Sequence, residues 1–126
     1  MITETGLSIG EVAQRTGLSE DTLRYYERIG LTPFVERAPS GHRRYTEDHL
    51  SWFKFVTYMR KTGMSIESLQ KYADLIRRDE AGEDMSAQKR AMLLAHAQSI
   101  REKIKELHAC LEVVDHKLER LDAQKG

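Results

Sequence analysis

Residues 8–30, SIGEVAQRTGLSEDTLRYYERIG, carry the start and stop signals of two short helices. Ser8 and Glu11 have the spacing of a capping box, in which each side chain accepts a backbone N–H of the other at a helix start. Gly17 predicts the end of the first helix, because a left-handed residue is commonly needed there. Ser19 is the expected N-cap of the second helix, and Gly30 is expected to end it. The pattern predicts a helix-turn-helix unit.

Residues 31–45 predict a hairpin rather than another helix. Pro33 and Pro39 disfavour a helix in this segment. The pair Ser40-Gly41 is typical of a tight turn. We therefore expect two short β-strands that form a wing after the helix-turn-helix.

Two more helices are predicted between this wing and a polar linker. Thr46 is the expected N-cap of the third helix, which Gly63 ends, and Ser65 starts the fourth. Apolar residues at helical spacing predict the buried side of each helix. They are Leu50, Phe53, Val56 and the Tyr58/Met59 pair in the third, and Ile66, Leu69, Tyr72, Ala73 and Ile76 in the fourth. The polar stretch 77–84, which contains Gly82, is expected to be a linker.

The C-terminal part of the chain carries a heptad pattern, in which apolar residues are spaced alternately four and three apart. The residues of this seam are Leu93, Ala97, Ile100, Ile104, Leu107, Leu111, Val114, Leu118 and Leu121. At about 1.5 Å of rise per residue the seam is roughly 40 Å long, more than a domain of this size can cover with its own helices. We expect a second chain to cover it, with the stretch from Ile100 to Leu118 as the dimer interface. A helix folded back on its own N-terminal domain is the alternative.

These patterns divide a mainly α chain into two parts. Residues 1–79 are expected to form a winged helix-turn-helix domain with a small β-hairpin wing, and residues 80–126 a linker and a long dimerisation helix. The 126 residues include 20 basic and 20 acidic side chains, so the formal net charge is zero and no bulk coating of nucleic acid is indicated. No apolar run approaches the roughly 20 residues of a membrane span, and the first residues lack the features of an export signal. We expect a cytoplasmic protein without a membrane partner.

Sequence motifs of catalysis and of metal binding are missing. The sequence has no Gly-rich phosphate loop, no nucleophile elbow, and no carboxylate pair outside ordinary helix-surface positions. The lone Cys110 cannot form an intrachain disulfide, and one thiol is too few for a structural zinc site. We expect no enzymatic activity, no cofactor and no metal.

Positive charge is concentrated on the second helix and the wing. A helix of this size fits the major groove of double-stranded DNA. An arginine can bind guanine edges or phosphates through two donors, and a tyrosine hydroxyl commonly reaches a phosphate. The polar side of the second helix presents Thr22, Arg24, Tyr25 and Arg28, and the segment after the predicted turn presents His42, Arg43, Arg44 and Tyr45. We therefore expect this edge of the molecule to contact DNA.

Four blocks of sequence together resemble the MerR family of transcriptional regulators: SIGEVA at 8–13, TLRYYE at 22–27, GL at 30–31 and GHRRY at 41–45. The resemblance continues through KTGMSI at 61–66 and into the long helix. It implies a homodimer whose long helices pair antiparallel, so that two winged domains bind one palindromic operator. It also implies that the protein bends and untwists promoter DNA, with RNA polymerase as its partner there.

The same resemblance implies roles for single residues. Arg24 and Tyr25 on the second helix would be main DNA contacts, as would Arg43 and Tyr45 on the wing. Thr22 and Lys61 would support them.

The sequence does not identify the metal ion, electrophile or small molecule that such a regulator would sense. Metal-sensing members of the family carry cysteines at the start of the long helix and in a C-terminal loop, and this sequence has neither arrangement. The layout resembles a subgroup without an effector domain that responds to electrophiles or nitrosative stress, often through a cysteine on the third helix, but residues 55–59 contain none. Cys110, at heptad position g, is the only candidate for redox sensing, and packing beside the seam is its alternative role. An unknown small-molecule effector stays open.

Two rival functions also stay open. An architectural DNA-binding protein or recombination accessory factor with the same winged fold would bend DNA without an effector, although the long dimerising helix favours a regulator. A protein-interaction module built on the coiled coil would have no affinity for DNA.

Overall fold

The structure, a computed structural model, describes residues 6–33, 36–37 and 43–125 and is mainly α-helical, which confirms the predicted fold class. The helices are α1 (Ile9–Thr16), α2 (Glu20–Arg28), α3 (Glu47–Lys61), α4 (Ile66–Glu80) and α5 (Ser86–Ala123). The strands β1 (Glu36–Arg37) and β2 (Arg43–Arg44) lie between α2 and α3. The chain divides into two compact units, Met1–Lys89 and Arg90–Gly126.

Side-chain caps and a glycine set the ends of the first two helices. Glu11 N–H donates to Ser8 Oγ, and Ser8 N–H donates to the Glu11 carboxylate, both at 3.2 Å. Gly17 follows α1 with φ of 77°, in the left-handed region. Ser19 Oγ accepts the N–H of Thr22 at 3.0 Å at the start of α2. The predicted capping box, stop and N-cap are confirmed.

The second helix ends in a Schellman motif. Gly30 N–H donates to the carbonyl of Glu27 at 3.2 Å, and Leu31 N–H donates to that of Tyr26 at 2.8 Å. Gly30 has φ of 76°, a backbone conformation that a residue with a Cβ rarely adopts. The direction in which the chain leaves α2 therefore depends on this glycine.

The core joins the first four helices and the end of the wing. Its buried apolar residues are Val12, Leu23, Leu31, Tyr45, Leu50, Trp52, Phe53, Val56, Met64, Leu69 and Ala73. The predicted buried positions Leu50, Phe53 and Val56 are confirmed. Of the Tyr58/Met59 pair, Met59 packs against the core, but the prediction for Tyr58 is wrong, because its side chain is 60% exposed. Five residues beyond Phe53 a helix has turned by about 140° from the buried side.

The two strands of the wing pair antiparallel. Their partners are Glu36 with Arg44 and Arg37 with Arg43. The predicted turn at Ser40-Gly41 lies outside the described residues. Leu7 and Tyr45 exchange backbone hydrogen bonds of 2.7 and 2.9 Å, so the residues before α1 are paired with the end of the wing.

A hydrogen-bonded turn connects α4 to the start of α5. The fourth helix continues to Glu80, and therefore covers part of the stretch that the sequence predicts as a linker. Asp79 accepts the N–H of Met85 at 2.6 Å and forms a salt bridge with Lys89. The bond from Lys89, followed by that from Met85, lowers the pKa of Asp79, and the same salt bridge raises the pKa of Lys89. These bonds hold the first turn of α5 against the end of α4.

The fifth helix is continuous over the predicted heptad seam. None of its residues, all of which are described, is buried in the single chain. Ile100 is half-buried, and the other central seam residues, Ile104, Leu107, Leu111, Val114 and Leu118, are between 48% and 68% exposed. Within the described part of the chain, neither this helix nor any other is long and apolar enough to cross a membrane.

Candidate nucleic-acid interface

The polar side of α2 is a surface on which the predicted contact residues lie together. Arg24, Tyr25 and Arg28 are all exposed. Arg28 lies four residues after Arg24 and three after Tyr25, so it neighbours both on the helix surface. Thr22 is half-buried, and its hydroxyl accepts a hydrogen bond from Ser19 Oγ at 2.9 Å. The buried side of the same helix is held in the core by Leu23. We call Arg24, Tyr25 and Arg28 the exposed face of α2.

The charged groups of this face have exchangeable partners. Arg24 forms salt bridges of 3.1 Å to Glu20 and 3.4 Å to Asp21, in the first turn of its own helix. The guanidinium of Arg28 lies over the ring of Tyr25, at 5.5 Å from the centroid. Exposed ion pairs of this kind contribute only about 0–1 kcal/mol. The arginines can therefore exchange these partners for a stronger anion at little cost.

Tyr45, a predicted DNA contact, lies in the core of the winged domain. Its side chain is fully buried, and its ring packs edge-on against His49 and Phe53 at centroid distances of 5.5 and 6.1 Å. In the single chain this ring is part of the core and not of the exposed surface. Side chains alternate along a strand, so the residue after Arg44 points to the opposite side. Alternation alone does not say which of the two sides is buried.

The base of the wing is held together by one imidazole. Thr46 N–H donates to Nδ1 of the buried His49 at 2.8 Å, so that nitrogen accepts and Nε2 carries the proton. Nε2 donates to the carbonyl of Pro33 at 3.2 Å. This link joins the chain before the wing to the chain after it. Arg43 lies in β2, but its side chain and all of His42 fall outside the described residues.

A second exposed aromatic–cation pair lies at the end of α3. Lys61 is exposed, as expected, and its ammonium lies 5.6 Å from the ring centroid of Tyr58. Sequence reasoning missed Tyr58 as a surface residue, although its position relative to Phe53 was the signal. Lys61 and Tyr58 repeat the arrangement of Arg28 and Tyr25 on α2.

Three consecutive carbonyls after α2 each accept a side-chain donor from α3 or α4. Gln70 Nε2 donates to Ile29 at 2.8 Å. Arg77 donates to Gly30 at 2.7 Å. The indole N–H of Trp52 donates to Leu31 at 2.8 Å. The end of α2 is therefore bonded to the two helices that follow the wing.

The part of the chain that the structure describes contains no group of three or more His, Cys, Asp or Glu side chains that could hold a metal ion. Cys110 is exposed on α5.

This chain is similar in sequence to known transcriptional regulators. Residues 7–75 match the family model of the MerR HTH family regulatory protein. The HTH-type transcriptional regulator AdhR of Bacillus subtilis (strain 168) is 42% identical over 92 residues, which are 70% of this chain and 66% of that protein. The chain thus spans just under two thirds of the length of this curated relative.

Two solved structures share the fold. A protein of Listeria monocytogenes, described as a MerR family transcriptional regulator, is 35% identical with a TM-score of 0.83, covering 92% of this chain and 86% of that one. HiNmlR, a MerR family regulator that lacks the sensor domain and was solved bound to promoter DNA, is 27% identical with a TM-score of 0.80, covering 90% and 88%. Since the family model covers more than half of this chain, from the residue before the capping box into α4, the chain belongs to the MerR family of helix-turn-helix regulatory proteins.

Proposed function

We propose that this MerR-type transcriptional regulator binds a palindromic promoter operator as a homodimer and alters the shape of the DNA. The observation that carries the proposal is the exposed face of α2. Its two arginines and one tyrosine lie on the second helix of a helix-turn-helix unit, whose opposite side is fixed in the core. The second helix of such a unit is the one that enters the major groove. We therefore call α2 the recognition helix.

The chemistry of this face suits both base edges and phosphates. A guanidinium presents two parallel N–H donors, which match the acceptors of a guanine edge or of a phosphate. A tyrosine hydroxyl suits a phosphate oxygen. The exposed Lys61 at the end of α3 would add a phosphate contact outside the recognition helix. Base contacts by α2 and phosphate contacts by other elements together would give specific binding.

The seam on α5 supports the homodimer. Leu107 and Leu111, at its centre, are 68% and 58% exposed in the single chain. Exposure of an apolar row of this length to water is unfavourable. A second copy of the same helix would bury the row by knobs-into-holes packing. An antiparallel pair places a two-fold axis across the seam, which suits an operator with the same symmetry.

The solved structure of HiNmlR on promoter DNA supports the DNA partner for this chain. By the same family relationship we infer RNA polymerase at the promoter as a further partner, and the cytoplasm as the compartment. The relatives named above are regulators, which favours this role over an architectural or recombination accessory protein. A small-molecule effector, if the protein uses one, would add to this activity.

Selection of duplexes from a random-sequence library by the full chain tests the proposal. We expect the bound sequences to converge on an inverted repeat, with two chains on each duplex when the stoichiometry is measured by native mass spectrometry. The reason is that a two-fold dimer reads two half-sites. Convergence on a single half-site bound by one chain would contradict the homodimer, and no convergence would contradict specific binding.

A further inference from the structure

We propose that Gln70 and Arg77 of α4 are positioning residues that set the orientation of the recognition helix for specific DNA binding. The inference rests on the proposed function and deepens it. Neither residue lies on the exposed face of α2. Both donate to the backbone just after the C-terminal end of α2, at the carbonyls of Ile29 and Gly30.

The two hydrogen bonds link distant parts of the chain. Gln70 is 41 residues from Ile29, and Arg77 is 47 residues from Gly30. The carbonyls at a helix C-terminus lack partners within the helix, and they carry the negative end of its dipole. A charged guanidinium on the Gly30 carbonyl therefore stabilises this end of α2 more than a neutral donor would. Both donors are half-buried, so water competes with them only in part.

The same two residues lie on one helix, seven positions apart, which is close to two full turns. They face the end of α2 as a pair, and a shift of α2 would break both bonds together. Trp52 contributes a third bond from α3, to the next carbonyl along the chain. The recognition helix is thus fixed at its C-terminal end by donors from two other helices, whereas its N-terminal end is capped locally by Ser19.

This arrangement predicts an effect on specificity rather than on attraction to DNA. Non-specific binding depends mainly on positive charge near phosphates, and a small rotation of α2 leaves that charge in place. Specific binding requires base contacts by α2 and phosphate contacts by other elements at the same time. A helix that has lost its fixed orientation meets both conditions less often. Loss of either donor should therefore weaken specific binding selectively.

The test uses the full chain with four single variants. Gln70→Met removes one donor and leaves the charge unchanged, and Arg77→Met removes the other. Arg77→Lys keeps a charged donor. Arg78→Met is the matched control, because it removes one positive charge from the adjacent position of α4, where the side chain pairs with the exposed Glu83 instead of α2. The probes are a duplex selected by the wild-type chain and a shuffled duplex of the same length and base composition.

We expect Gln70→Met and Arg77→Met each to weaken binding to the selected duplex about 3- to 10-fold, the usual effect of one hydrogen bond, and binding to the shuffled duplex by less than about 2-fold. Arg77→Lys should recover part of the loss, and Arg78→Met should match the wild type. Thermal unfolding of each variant checks that it is folded at the temperature of the assay. If Arg77→Met is unfolded at that temperature, Gln70→Met alone tests the positioning role.

Equal loss on both duplexes, or no loss for Gln70→Met, would overturn the positioning role. A wild-type chain that binds both duplexes equally would instead overturn the proposed function, and the inference with it.

Discussion

Leu111→Asp is expected to convert the proposed dimer into monomers. Leu111 lies at the centre of the seam on α5, where a partner helix would bury its side chain. An unpaired carboxylate in an apolar interface costs about 3 kcal/mol or more, and each dimer would contain two, so the dissociation constant should rise by roughly four powers of ten. Sedimentation velocity at micromolar concentration measures the change directly. Binding to the inverted-repeat duplex should be lost with it.

Val113→Asp is the matched control for this variant. Val113 is also an exposed apolar residue of α5, at 69% compared with 58% for Leu111. It lies at heptad position c, about 200° around the helix from Leu111 and about 100° from Val114, and therefore outside the seam. The same substitution there should leave the sedimentation coefficient unchanged. If both variants stay dimeric, or both dissociate, the seam is not the interface.

Tyr45→Ala is expected to have the largest effect on stability. The ring is fully buried and packs against His49 and Phe53, so its removal leaves a cavity in the middle of the winged domain. Truncation of a buried aromatic residue typically lowers the free energy of unfolding by about 3–5 kcal/mol. Urea or thermal unfolding followed by circular dichroism measures the loss.

Two further variants, one at Tyr45 and one at Tyr25, separate the effect of core packing from that of DNA contact. Tyr45→Phe keeps the packed ring, so the protein should stay folded with little change in DNA affinity. Tyr25→Ala removes a tyrosine that is 43% exposed on α2, and should weaken DNA binding with little change in stability. A Tyr45→Phe protein with unchanged stability and at least tenfold weaker binding to the selected duplex would show that the hydroxyl meets DNA after all.

Features that depend on local sequence were predictable in this chain. The capping box of Ser8 and Glu11 and the left-handed Gly30 act within a few residues of themselves, so sequence spacing alone indicates them. The heptad seam is likewise a local repeat; it predicts a helix from Leu93 to Leu121, and α5 covers all of that stretch. The exposed face of α2 follows from the same helical spacing.

Features that depend on tertiary packing were not predictable. Tyr45 follows two arginines and resembles a surface residue by its neighbours, but the backbone pairing with Leu7 sets which side it faces. Nothing local to Gln70 or Arg77 indicates a bond to a carbonyl more than 40 residues away. The partner of such a donor depends on how the helices pack, and a single sequence without long-range information does not specify it.

The affinity of Arg24→Ala for the selected duplex tests the central claim most directly. Arg24 is on the exposed face of α2, where its only described ion pairs are to Glu20 and Asp21. If this arginine contacts a base, its loss should cost about 1–3 kcal/mol and reduce discrimination at one position of each half-site. Arg78→Ala, which removes the same charge from α4, provides the reference. We predict binding at least about fivefold weaker than that of Arg78→Ala, with the dimer and its thermal stability unchanged. Equal affinities of the two variants for the selected duplex would contradict the assignment of α2 as the recognition helix.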